Sequence, residues 1–198
     1  MEPSKIKQKL KRIGNQVLHM TKLFDDILII GQTEASKNKY NPLEINLREF
    51  MCEIIDEASN SQKKSHKLVL IDTEELKNAT IFIDEKLGRN IFINLLSNAV
   101  KFSKQADTVT IEFSSEDNYT IISVTDFGIG IPRAELSDIC KPFVRGKNVD
   151  LIQDSGLGLS IVKDAIDLIE GKTIVHRNIG NGTFFIVKIP KKPNTYYV

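Results

Sequence analysis

Polar and apolar positions follow different rhythms in different parts of this chain. Across residues 4–31, Ile6, Leu10, Ile13, Val17, Met20, Phe24 and Ile27 recur at alternating spacings of four and three. That is a heptad seam on one long helix. It is narrower than the face a helix turns to its own globular core, and it calls for a partner helix. Lys5, Lys7, Lys9, Lys11, Arg12, Lys22, Asp25 and Asp26 occupy the remaining faces. Residues 32–41 are polar and read as a linker. The pattern thus divides the chain into a helix at 1–31, a linker at 32–41 and a globular unit at 42–198.

Within the globular unit, short strands are expected at 42–47, 67–72 and 80–83, and a helix at 48–60 with Phe50, Ile54, Ile55 and Ala58 on one face. Residues 108–113 and 119–124 alternate with period two around a polar turn, which predicts a hairpin. A second hairpin pairs 173–175 with 184–189 and turns at Gly180-Asn181-Gly182. A short helix is expected at 132–139 with Pro132 in its first turn, and another running to Glu170 with Gly171 as its stop. Strict βαβ alternation is missing, so the sheet should be mixed or antiparallel, with helices on one face.

The segment 84–104 carries the first candidate chemistry. Asp84, or the residue beside it, caps a helix whose Ile91, Phe92, Leu95, Leu96, Ala99, Val100 and Phe102 make most faces apolar. Asn94, Asn98 and Lys101 fall at i, i+4 and i+7 and share one stripe. Buried amides need partners. A hydrated cation with phosphate oxygens would satisfy all three groups, and so would neighbouring loop backbone. Asp126 ends an alternating run and is followed by Gly128 and Gly130. Such a carboxylate can accept from an exocyclic amine while the glycines let backbone approach, and the same residues can also form an ordinary turn. Gly156 and Gly158 open a helix whose free N–H groups suit an anion. Residues 142–155 have no periodicity and read as a lid.

In this order, N-x-x-x-N-x-x-K, D-x-G-x-G and G-x-G-L resemble the N, G1 and G2 boxes of the ATP-binding domain of sensor histidine kinases. Lys141-Pro142-Phe143-Val144-Arg145-Gly146 resembles the F box of that family, and Asn181-Gly182-Thr183-Phe184 its last glycine box. The resemblance covers almost the whole chain. It implies an α/β two-layer sandwich, a mixed and mostly antiparallel sheet with helices on one face (the Bergerat-type ATP-binding fold), preceded by the second helix of a dimerisation hairpin. It implies ATP and Mg²⁺ as cofactors, transfer of the γ-phosphoryl group to a histidine, and relay to the receiver domain of a response regulator. Asn98 would ligate Mg²⁺, with Asn94 beside it, and Lys101 would pair with phosphate oxygens. Asp126 would take the adenine amino group, Gly128 and Gly130 would admit the base, and Phe102 would pack on purine or ribose. Arg145 would approach the γ-phosphate, Gly156 and Gly158 would let the lid fold over, and Thr183 would support the adenine pocket.

Departures from the pattern are Phe127 in the G1 box, Cys140 at the first F-box aromatic, and Asp154 in place of the glycine that opens the G2 box. No H box is present: His19 is followed by Met20-Thr21-Lys22 and lies on the other hairpin helix. The expectation is a chain that binds MgATP without phosphorylating itself, and that meets a second copy through its N-terminal helix to form a dimer. A degenerate, non-catalytic scaffold of the same fold and an anti-sigma-type serine kinase are the alternatives. The 27 basic and 26 acidic side chains leave a net charge of +1, which gives no argument for nucleic acid. Cys52 and Cys140 show no metal spacing, and no apolar run spans a bilayer, so a cytoplasmic location is expected, with membrane or sensor segments possible upstream.

Overall fold

The computed structural model describes residues 3–35, 40–61, 66–71, 73–103, 108–144, 146, 155–178 and 182–192. Helix α1 (Pro3–Ala35) comes first, then β1 (Leu43–Asn46), α2 (Leu47–Ser61), β2 (Lys67–Leu70), α3 (Glu74–Lys77) and β3 (Thr80–Ile83). The central helix α4 (Glu85–Phe102) follows, then β4 (Thr108–Ser115), β5 (Tyr119–Asp126), α5 (Gly158–Leu168), β6 (Lys172–Asn178) and β7 (Gly182–Pro190). Five strands form one sheet in the order β2-β4-β5-β7-β6, and β1 pairs with β3 apart from it. β2 runs parallel to β4, and the other neighbours are antiparallel. This is the mixed, mostly antiparallel sheet expected from the hairpins.

The alternating runs become strands because one set of side chains enters the core. Ile111, Ile122 and Val187 from the sheet meet Ile91, Phe92, Leu96, Val162 and Ile166 from α4 and α5, all essentially sealed from solvent. Asp84 starts α4 as expected, its carboxylate accepting from Leu87 N at 3.1 Å. Gly88 lets α2 approach α4: a methyl group there would lie 2.9 Å from the Phe50 ring, which packs edge-on against Phe92.

Three expectations need correction. Residues 132–139 do not form a helix but a single 3₁₀ turn, Arg133–Glu135, running into further turns. Arg133, Ala134 and Ser137 are exposed and no side chain from 133 to 139 is fully buried, so little packing holds anything longer. Gly171 is not the residue that ends α5 in the left-handed conformation; Glu170 takes that role at φ 55°. Gly171 is instead required by contact, since a side chain would sit 2.6 Å from Lys188 O of β7. The polar stretch after residue 31 begins as helix, because α1 continues to Ala35. α3 went unforeseen: its four residues are too few to show a period.

The heptad seam of α1 faces solvent in the single chain. Leu10, Ile13 and Phe24 are each at least 60% exposed. Among α1 side chains that are described, only Asp26 is buried, where α1 lies against α5.

Candidate functional site

The sheet brings Asp126 to the end of its middle strand, directly opposite Thr183 on β7. The carboxyl is buried, and its Oδ1 accepts from Gly128 N at 2.9 Å and from Thr183 N at 3.2 Å. Burial pushes its pKa above the usual carboxylate value, and the two backbone N–H groups with the Thr183 and Ser103 hydroxyls partly offset that. Two glycines make the arrangement possible. A methyl group on Gly128 would come within 2.1 Å of Phe102 O, and one on Gly182, at φ 92°, within 1.8 Å of Asp126 O. Ile129 N donates to Phe102 O at 3.2 Å, so the turn after β5 is fastened to the end of α4.

Above Asp126 opens a cavity walled by Ala99, Phe102, Val124 and Phe185. Asp126, Thr183 and Asn98 supply polar groups to its wall, and Gly130, Gly156 and Gly158 border it. Flat apolar walls with one carboxylate suit a planar heterocycle that carries an amino group.

The amide stripe of α4 meets the glycine turn before α5. Asn94 Nδ2 donates to Asn90 O at 2.8 Å, so its nitrogen is spent on its own helix. Its oxygen faces Gly158, where a side chain would lie 3.1 Å from Asn94 Oδ1 and 3.4 Å from Asn98 Nδ2. The turn therefore lies close enough to both amides that a side chain at Gly158 would crowd them. Lys101 Nζ lies 5.4 Å from the centre of the Phe102 ring. Gly156, at φ 70°, accepts from Phe143 N at 3.0 Å and joins the F-box segment to the turn. Ser155 Oγ accepts from Leu157 N at 3.3 Å and donates to Asp26 Oδ2 of α1 at 2.7 Å.

Known proteins share this fold. The profile of the histidine kinase-, DNA gyrase B- and HSP90-like ATPase matches residues 83–193, more than half of the chain. The chain belongs to this ATPase family. The circadian input-output histidine kinase CikA of Synechococcus elongatus is 29% identical over 189 residues, covering 94% of this chain and 25% of CikA. The autoinducer 2 sensor kinase/phosphatase LuxQ of Vibrio harveyi is 34% identical over 131 residues, 63% of this chain and 15% of LuxQ. The chain thus spans a quarter or less of these curated relatives. Among solved structures, full-length ShkA in complex with AMPPNP superposes with a TM-score of 0.77 at 22% identity, over 95% of this chain and 39% of ShkA. Histidine kinase ThkA in complex with the response regulator TrrA gives 0.74 at 25% identity, over 98% of this chain and 54% of ThkA.

The ATPase fold gathers most of the expected residues around one cavity. Asn98, Phe102, Asp126, Gly130, Gly156, Gly158 and Thr183 line it. Asn94, Lys101 and Gly128 stand one layer out, against Gly158, the Phe102 ring and Asp126 respectively. Arg145, Asp154 and lid residues 147–153 lie outside the described residues. Phe127 is half exposed, which explains how the G1 turn carries a large side chain. Cys140 is partly buried, and burial raises its thiol pKa. The sequence reading missed Ser103 beside Asp126 and the Asp26–Ser155 bond. Ser103 immediately follows the Lys-Phe that closes the N box, a local signal for the first; the second joins residues too far apart in sequence to leave one.

Proposed function

We propose that this chain binds ATP with Mg²⁺ and is the catalytic, ATP-binding part of a sensor histidine kinase, transferring the γ-phosphoryl group to a histidine outside its own residues. The observation that carries this reading is the buried Asp126 carboxyl on the wall of an apolar cavity whose rim is the contact between the α4 amides and the α5 glycine turn. One end suits an aminopurine, the other a chain of phosphates. The relatives named as histidine kinases and the superposition on an AMPPNP complex support it.

Asp126 accepts from the adenine amino group, and Phe102 covers a face of the base. Asn98 would hold Mg²⁺ through its amide oxygen, with Asn94 steadying the turn opposite. A neutral amide oxygen is a ligand of the kind this hard cation takes. When bound, Mg²⁺ supplies neutralisation of the phosphate charge. Lys101 and Arg145 add positive charge to the phosphate end, and Gly156 and Gly158 bring backbone N–H groups close. Phosphoryl transfer asks the protein mainly for positioning and charge compensation. The exposed seam of α1 pairs with a second copy, and the receiver domain of a response regulator is the downstream partner, as in the ThkA–TrrA complex. The chain acts at the cytoplasmic side; none of its described helices is long and apolar enough to cross a membrane.

Saturating MgATP at about 100 times Kd should stabilise the chain by about 2.7 kcal/mol, read as a rise in Tm. With γ-labelled ATP the chain alone should take up no acid-labile label. Label on His19, His66 or His176 would contradict the external acceptor.

A further inference from the structure

A buried carboxyl on the N-terminal helix reaches the turn that borders the cavity. Asp26 is buried where α1 lies against α5. Its Oδ2 accepts from Ser155 Oγ at 2.7 Å, and the same Oγ accepts from Leu157 N at 3.3 Å. The hydroxyl hydrogen is committed to Asp26 and a lone pair to the backbone, so the Ser155 side chain is held from both ends. The turn needs such a hold. Gly156, at φ 70°, and Gly158 flank Leu157, and glycine backbone loses the most freedom when it becomes ordered. Leu157 stands at the cap position of α5 and makes no side-chain cap hydrogen bond. The entry to α5 is fastened instead through Ser155, and Ser155 through α1. Gly156 and Gly158 border the cavity, whereas Asp26 and Ser155 stand behind it.

We propose that Asp26 and Ser155 are positioning residues for the phosphates of the nucleotide: through their hydrogen bond, α1 orders the glycine turn before the ligand arrives. The inference rests on the ATP-binding reading given above, which puts phosphates at this turn. A turn ordered in advance loses less freedom on binding, so the bond raises affinity without touching the ligand. The effect belongs to the phosphate end, because the base is received by Asp126 on the far side of the cavity. The coupling is also reciprocal. A bound phosphate chain that fixes the turn must hold α1 against α5 more tightly by the same free energy.

The experiment is calorimetric titration of ATP and of adenosine, with Mg²⁺, into the wild-type chain, Asp26→Ala, Ser155→Ala, the double variant and Ser155→Thr. Each single alanine variant should bind ATP about three- to tenfold more weakly, the size of ordering a short turn, and should leave adenosine binding unchanged. The double variant should lose no more than either single one, and Ser155→Thr, which keeps the hydroxyl, should bind ATP as the wild type does. Hydrogen exchange on the wild type gives a reading that does not depend on any variant folding. Saturating ATP, and not adenosine, should slow amide exchange in α1 around Asp26. Unchanged ATP affinity in Ser155→Ala, equal losses for ATP and adenosine, or α1 exchange that ATP leaves unaltered would each overturn the role of this pair while the ATP-binding reading stood. A wild-type chain that does not bind ATP would overturn that reading and this inference together.

Discussion

At the scale of single residues, burial and function pull against each other at Asp126. Its carboxyl is desolvated and held by backbone N–H groups, and desolvation dominates. An acid whose folded pKa lies above its unfolded one makes the fold less stable as pH rises through the interval between them. Asp126→Asn removes that penalty and keeps an oxygen for the two backbone donors. The variant should unfold in urea at an unchanged or higher midpoint at neutral pH. It should bind ATP about 10- to 100-fold more weakly, the cost of losing a charged acceptor. In the wild type, binding needs the ionised carboxylate, so affinity should fall as pH drops through the raised pKa, beginning above the ordinary carboxylate range. Titrations at a series of pH values check the sign. Gly128→Ala forces a methyl group against Phe102 O and should cost about 1–3 kcal/mol of stability, read from urea unfolding.

At the scale of elements, two contacts tie the site to its surroundings. Arg89 on α4 reaches Glu57 at 2.7 Å and Glu53 and Glu85 at 3.2 Å each. Its partners are exposed, so the network is worth about 1 kcal/mol at low salt. Arg89→Ala should cost that much in urea unfolding and much less in 1 M salt at roughly a 3 Å screening length. The Asp26–Ser155 bond joins α1 to the glycine turn. Asp26→Ala should speed amide hydrogen exchange both in α1 near that residue and at the start of α5, and adding Ser155→Ala should change little more. The same elements show what could be read from sequence. Strands and helices with a clear period were legible, because alternation and the i, i+4, i+7 stripe are set by which face is buried. Ends were not. The stop at Glu170 and the bond from Ile129 N to Phe102 O depend on neighbours that only the assembled sheet supplies.

At the scale of the molecule, a five-stranded sheet covered by α4 and α5 presents a cavity at the end of β5, and a long helix leaves its apolar seam uncovered. The seam should drive self-association. Sedimentation should show a concentration-dependent dimer, and Leu10→Glu with Ile13→Glu should shift it to monomer without lowering nucleotide affinity. Everything functional turns on the cavity as a place for an adenine nucleotide. Calorimetric titration of ATP with Mg²⁺ into the wild-type chain and into Asp126→Asn tests that most directly. A saturable one-to-one isotherm in the first, weakened at least tenfold in the second with the fold intact, is the predicted result; no heat in the wild type, or equal binding in both, would contradict it.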